Sequence, residues 1–321
     1  MEHTKRPVNG ILLFDKPLTL SSNIALQKVR RLFRAEKAGH TGTLDPLATG
    51  LLPICLGEAT KFTSALLEAD KTYHALVRLG QTTTTGDAEG EVVETCLPHV
   101  LDEIDLERVR AVLQRFLGDI QQIPPMYSAL KHQGKALYEY IRQGETIERA
   151  SRGVTIRELR MKRFSNHELG LRELEISVCC SKGTYIRTLA EDIGQALGCG
   201  AYLGGLRRMA IGRFHLQGAY TLQQLEDMTV EQRDECLLPS DSLMPGMPIV
   251  ELDEGQFIRI AQGQRLVVDT GLLDGRVRLY AGGNFIGIAD LDGQNLAPVR
   301  ILSSVARSVT RMGMAMGIKL I

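Results

Sequence analysis

The sequence predicts an α+β chain, and three features carry that expectation. Segments such as YHALVRLG (73–80) and ELEISVCC (173–180) alternate apolar and polar residues with the period of half-buried strands. Amphipathic helical stretches stand between such segments without a regular βαβ alternation, which disfavours a doubly wound sheet. The last quarter, VRLYAGGNFIGIADLDGQNLAPVRIL (277–302), breaks into short strands at Gly-Gly and Asp-Gly, the signature of hairpins. A chain of 321 residues has room for one large domain plus a small one.

In chain order, GILLFDKP (10–17) reads as a short buried strand ending in a Lys-Pro turn. A helix follows, with Ser21 or Ser22 as N-cap and Ala25, Leu26, Val29, Leu32 and Phe33 as its apolar stripe. DLERVRAVLQRFLG (105–118) is an amphipathic helix with Asp105 as cap and Gly118 as stop. In the second alternating strand Leu174, Ile176 and Val178 share one face, and residues 184–197 form a helix turning Ile186, Leu189, Ile193 and Leu197 inward. LLPSDSLMPGMPIVEL (237–252), rich in Pro, reads as a linker to a small β-rich domain at 248–302. The tail 303–321 has no clear period and is expected to be a weak helix or a disordered end.

Net charge is zero, with 38 basic and 38 acidic residues, but the distribution is uneven. Residues 1–37 carry eight basic groups against three acids, and residues 149–163 carry six against Glu158 alone. Residues 221–254 reverse the balance, with nine acids and only Arg233. Local basic patches of this kind suit a polyanion bound through its phosphates, although each alone also fits a solvated helix face. The six cysteines form no Cys-x-x-Cys pair and no zinc-ligand spacing, so buried reduced thiols in a cytoplasm are expected. Apolar runs fall short of the roughly 20 residues a membrane helix needs.

Residues 38–61, AGHTGTLDPLATGLLPICLGEATK, hold Asp45 among turn-forming residues, with Glu58, 13 positions later, as the other acid of the stretch. The stretch lacks the spacing of a phosphate-cradling P-loop, of a dinucleotide fingerprint and of a serine-hydrolase elbow. No second carboxylate lies close enough in sequence to suggest a metal site. An acid ahead of Pro46 in a rigid loop suits a nucleophile or general base, and equally an Asx turn.

The stretch 39–61 resembles, nearly position for position, the catalytic motif of the TruB family, the bacterial tRNA pseudouridine-55 synthases. GILLFDKP with Ser21-Ser22, DKTYHALVRLG (70–80), IPPMYSALKHQGKALYEYIRQG (123–144), CSKGTYIRTLAEDIG (180–194) and LGCGAYLGGLRR (197–208) follow in the family's order. The resemblance implies a catalytic domain over 1–247, built on a mixed, mainly antiparallel sheet flanked by helices, with an RNA-gripping insertion at about 123–153. It implies a PUA-like domain over 248–302. The implied reaction isomerises a uridine of the tRNA T-loop to pseudouridine by base flipping, with no metal and no cofactor.

By the same resemblance Asp45 is the catalytic aspartate, Arg187 its cationic partner and Tyr73 the active-site tyrosine. Tyr185 and Leu206 are implied pocket residues, and His40 a residue that stands beside the flipped nucleotide. Lys16, Lys131 and Arg142 fall in motifs near bound RNA. The implied partner is tRNA, through its T-arm and the end of its acceptor stem, with a monomer as the default expectation. The ordinary alternatives are core filling for Tyr73 and Leu206, and solvated side chains for the lysines.

Two positions depart from the family pattern. Thr19 replaces the glycine of Lys-Pro-x-Gly-x-Ser-Ser, which implies strain if that position has positive φ. Thr83 stands where an acid is common, while Asp87 is retained. An RNA-binding or folding-assistance protein would share every basic patch but would not need Asp45, Tyr73 and Arg187.

Overall fold

The structure is a computed structural model and describes residues 4–166 and 170–304. The expected weak helix or disordered end at 303–321 lies almost wholly outside those residues. The labelled elements of the larger unit are β1 (Gly10–Lys16), α1 (Ser22–Leu32), β2 (Ala38–His40), β3 (Ala48–Leu56) and β4 (Lys71–Leu79). They continue with α2 (Leu106–Gln114), β5 (Gly118–Gln122), β6 (Arg152–Asn166), β7 (Arg172–Cys180), α3 (Ile186–Leu197), β8 (Ala201–Ile211) and β9 (Tyr220–Thr221).

The main sheet runs β9-β1-β3-β8-β4-β7-β6-β5, with β2 pairing the outer part of β3. β8 lies parallel to β3 and β9 parallel to β1; the other pairs along this order are antiparallel, as the mixed α+β expectation requires. On one face Tyr73, Ala75 and Val77 of β4 join Leu174, Ile176 and Val178 of β7. They meet Ile186, Leu189, Ile193 and Leu197 of α3 and Val109, Val112 and Leu113 of α2 in a single core. The period-2 strands and the period-3.6 helices therefore bury the stripes their sequences display.

Helix ends follow local chemistry. Ser21 caps α1 by accepting from the Ile24 N–H at 3.2 Å, and Asp105 caps α2 by accepting from Arg108 N–H at 2.8 Å. Gly198, at φ 78°, ends α3 in the left-handed conformation that glycine tolerates. Gly118 corrects one expectation. α2 already ends at Arg115, and Gly118, at φ 87°, opens β5 instead of stopping the helix.

β5 and β6 pair directly, Gln122 opposite Arg152, so residues 123–151 are an excursion from the tip of a hairpin. That excursion holds a small two-stranded ribbon, Lys131–His132 with Lys135–Ala136, and a short helix, Leu137–Ile141.

A second sheet is built from β10 (Ile249–Leu252), β11 (Leu266–Val267), β12 (Gly275–Ala281), β13 (Asn284–Asp292) and β14 (Asn295–Ile301), in the order β10-β12-β13-β14-β11. α4 (Glu254–Ala261) packs on it. The Gly282-Gly283 and Asp292-Gly293 turns join its hairpins as the sequence indicates.

The segment read as a linker is packed rather than open. Leu243 and Met244 are buried in a core shared with Ile11, Leu51, Phe62 and Ile288. Asp241 accepts from Tyr280 Oη and from Arg278 Nη1. Phe62 meets Phe285 edge-on at 5.5 Å, and Lys61 Nζ donates to the Ile301 carbonyl at 3.0 Å. Prolines in this stretch set its path, and its apolar side chains still find a core.

Candidate active site

Insertion of β8 between β3 and β4 creates the site. Leu206 stands opposite Ala48 on one side and Ala75 on the other, and Arg208 opposite Gly50 and Tyr73. The loop 41–47, which enters β3, is thereby held beside the middle of β4. Three contacts fix it from the N-terminal side. Ser22 Oγ accepts from Leu44 N–H at 2.7 Å and donates to Leu44 O at 2.9 Å, while Thr19 N–H donates to Pro46 O at 2.9 Å. Of the two candidate caps, Ser21 caps α1 and Ser22 ties α1 to the loop.

Asp45 opens into a cavity of about 400 Å³ whose walls include Tyr73, Tyr185, Arg187, Leu206 and Arg208. Its carboxylate is held by Arg187, Nη2 to Oδ2 at 2.8 Å, across a sequence separation of 142 residues. The same guanidinium reaches Asp87 Oδ2 at 3.3 Å and donates to the carbonyls of Thr85 at 3.2 Å and Tyr127 at 2.6 Å. A planar fork serving several acceptors suits arginine and not lysine.

Burial pushes the Asp45 carboxyl above the usual aspartate range; Arg187 opposes that shift, and Asp87 adds to it. Burial likewise raises the Tyr73 hydroxyl, with Arg208 opposing. The site therefore combines an acid held near a cation with a desolvated phenol on the same cavity wall.

Sequence comparison identifies the family. Residues 30–186 match the family described as TruB family pseudouridylate synthase (N terminal domain). Residues 187–245 match the tRNA pseudouridylate synthase B C-terminal domain, and 248–302 match Pseudouridine synthase II TruB, C-terminal. The chain belongs to the TruB family.

A relative from Methylobacillus flagellatus named tRNA pseudouridine synthase B is 52% identical over 94% of this chain and 97% of its own. One of the same name from Cupriavidus metallidurans is 52% identical over 93% and 95%. Among solved structures, the one titled Crystal Structure of a Cbf5-Nop10-Gar1 Complex superposes with a TM-score of 0.67 at 24% identity. It covers 91% of this chain and 84% of that one, and it shows a shared fold.

Other residues expected in this TruB-family site fall in different places. His40 lies on β2, outside the lining of the cavity; burial, aided by Arg208, lowers its pKa, and its Nδ1 is buried without a protein partner. Lys131 and Arg142 are on the excursion, Arg142 over the Tyr138 ring at 5.3 Å, whereas Ser128, Ala129 and Leu130 of that excursion line the cavity itself.

Lys16 corrects its expectation. It is fully buried, and its ammonium donates to the Pro17 and Leu20 carbonyls at 2.9 and 2.6 Å. Burial lowers its pKa to about 8. The geometry makes it the internal tie of the Lys-Pro turn rather than a solvated side chain. In the basic run, Arg157 pairs with Asp70, Arg160 with Glu158 and Arg163 with Glu175, so much of its charge is met within the protein.

Residue-level reading missed Arg208. It is buried, and it donates from Nε to Leu51 O at 2.7 Å, from Nη2 to Gly42 O at 3.2 Å and from Nη1 to Thr43 O at 3.5 Å. The motif LGCGAYLGGLRR contains it, but two adjacent arginines on a strand read equally as surface charge. Gly50 is the steric signal for its place: at φ 99°, an added Cβ there would lie 2.4 Å from Arg208 O. The Thr83 departure is absorbed locally, since the buried Thr83 Oγ1 donates to Asp87 O at 2.7 Å. Asp87 is fixed further by Thr85 Oγ1 at 2.6 Å and Glu89 N–H at 3.1 Å.

Proposed function

We propose that this protein is a tRNA pseudouridine synthase that isomerises uridine 55 of the T-loop, and that Asp45, Arg187 and Tyr73 carry the reaction. The observation that carries this reading is the Asp45–Arg187 pair on the wall of a cavity that also presents Tyr73. A cavity of about 400 Å³ falls within the range that encloses small ligands, and it suits a single flipped nucleotide.

The reaction breaks the N1–C1′ glycosidic bond, turns the base, forms a C5–C1′ bond and releases the C5 proton, while N1 gains one. Substrate and product have the same composition, so no oxidant, reductant or co-substrate enters. Asp45 acts ionised, as a nucleophile on the ring or ribose or as the base that takes a sugar proton. Arg187 keeps that ionised form accessible against the desolvation that opposes it. Tyr73 supports the flipped base and stands ready for the C5 proton. Tyr185 and Leu206 hold the base between them, and Gln122 fixes Tyr185 by accepting its N–H at 3.0 Å and donating to its carbonyl at 3.3 Å.

His40 occupies the space beside the flipped nucleotide. Lys131 and Arg142 contact backbone phosphates from the excursion, which positions the RNA, while base and loop shape supply selectivity. The chain acts as a monomer in the cytoplasm. Residues 1–247 form its catalytic domain, with an RNA-gripping insertion at about 123–153, and the PUA-like 248–302 reaches toward the acceptor stem.

The test is incubation with an unmodified tRNA transcript, scored for pseudouridine by position. Asp45→Asn is expected to yield no product while binding tRNA within about tenfold of wild type, a span of about 1.4 kcal/mol. Product formation by that variant at the wild-type rate sinks the assignment of Asp45.

A further inference from the structure

At the C-terminal end of α1 a hollow of about 400 Å³ is lined by Lys5, Gln27, Arg30, Arg31, Arg34 and Ala35, four cations with no acid among them. The ordinary account of arginines at a helix C-terminus is that they satisfy its carbonyls. Arg30 instead braces the turn that follows the helix, donating to Ala35 O at 3.2 Å and Glu36 O at 2.8 Å. Lys5, Arg31 and Arg34 are exposed, and among the described residues none of their side chains makes an ion pair or hydrogen bond.

Neighbouring Arg6 is the contrast: Asp234 meets its guanidinium with both carboxylate oxygens. Arg34 also sits at φ 51°, in the left-handed region that glycine holds freely and that a side chain disfavours. It belongs to a cluster whose like charges repel until an anion enters.

We infer that this hollow is a second phosphate-binding site for the substrate RNA, set apart from the catalytic cavity. The inference rests on the proposed tRNA substrate. Ser22 pins the N-terminal end of α1 to the loop of Asp45, and 11 helical residues place the hollow about 16 Å further along, at about 1.5 Å per residue. Exposed Lys37 and then His40 on β2 lead from the hollow back toward the loop. Guanidinium forks bind phosphodiester oxygens in pairs, so an RNA backbone seated here has its register fixed without its sequence being read.

The test compares wild type with Lys5→Ala/Arg31→Ala/Arg34→Ala, leaving Arg30 to hold the turn that follows the helix. Binding is measured against salt for two RNAs, the full unmodified tRNA and the isolated T-arm hairpin. For every phosphate that the variant no longer neutralises, the slope of log K against log salt becomes shallower by about 0.9 on a duplex, so by about 2.7 for three. Turnover at saturating RNA stays at the wild-type value, and thermal unfolding shows that the variant folds.

Weaker binding of tRNA alone assigns the phosphates to parts outside the T-arm, and weaker binding of both RNAs assigns them to the T-stem. A folded variant with unchanged slope and affinity for both overturns the inference. If it does not fold, Lys5→Gln/Arg31→Gln/Arg34→Gln is read by the same criteria. A wild-type protein that binds tRNA but makes no pseudouridine sinks the enzymatic reading and leaves this comparison standing. One that binds neither RNA sinks both.

Discussion

Thr19→Gly is expected to stabilise the protein while leaving its activity unchanged. Thr19 is exposed, adopts φ 70°, and contributes a backbone N–H to Pro46 O at 2.9 Å, the residue after the candidate catalytic acid. Holding a residue with a Cβ in this region costs about 1–2 kcal/mol. Glycine removes that strain, but its unfolded chain is freer by about 0.5–1 kcal/mol. The net gain is then about 0.5–1 kcal/mol. With about 2.1 cal/mol/K of unfolding entropy per residue, a chain of 321 residues moves its melting temperature by only about 1 °C. The sharper assay is urea unfolding, where the midpoint rises at an unchanged m-value. Since glycine keeps the N–H, single-turnover pseudouridine formation stays at the wild-type rate. A midpoint that falls refutes the reasoning, because it means that the Thr19 side chain contributes more than the strain removes.

Arg208→Met leaves the Gly42 and Leu51 carbonyls without their buried donor, at about 1–3 kcal/mol each, and is expected to destabilise by about 2–6 kcal/mol in urea and to cut turnover; wild-type stability argues against its bracing role. Gly50→Ala forces a Cβ to 2.4 Å from Arg208 O, so little folded protein is expected, and a normal yield with normal melting argues against the close approach of β3 and β8. Because burial raises the Asp45 pKa, the single-turnover rate falls, as pH drops, at a higher pH than an ordinary aspartate would set. Arg187→Met removes the opposing cation and moves that midpoint further upward; an unmoved midpoint removes Arg187 from the ionisation of Asp45. The same raised pKa means that the folded state binds the extra proton, so this group's contribution to stability falls as pH rises from the unfolded to the folded pKa. Asp45→Asn is therefore expected to gain on wild type in urea at neutral pH, with the gap closing in acid.

Much of the architecture was legible because periodicity and capping act locally. The strands around Tyr73 and Ile176, the caps Ser21 and Asp105, and the two Gly-containing hairpin turns are each decided by neighbours within a few residues. Lys16 was illegible because a lysine beside a proline turn is usually solvated; its burial depends on two carbonyls presented by a three-dimensional turn. Arg208 was illegible because its role lies in β3 and the 41–47 loop, more than 150 residues away. The segment 237–252 misled because prolines and glycine mark where regular structure stops, which is a separate matter from where packing stops. Residue chemistry alone left Asp45 open between an Asx turn and a nucleophile, and its contact with Arg187 joins residues 142 apart, which no local pattern displays.

The position of β8 has a consequence for how the chain is made. β3 and β4 cannot hydrogen-bond to each other in the finished sheet, because β8 occupies the place between them, and it is synthesised 122 residues after β4 ends. At about 5–20 residues per second that interval lasts roughly 6–25 s, during which two apolar strands have open edges facing a missing neighbour. The last wall of the cavity, Leu206 and Arg208, arrives with that same strand. A nascent chain therefore completes this cavity only once β8 has paired, and until then the facing edges of β3 and β4 lack that partner.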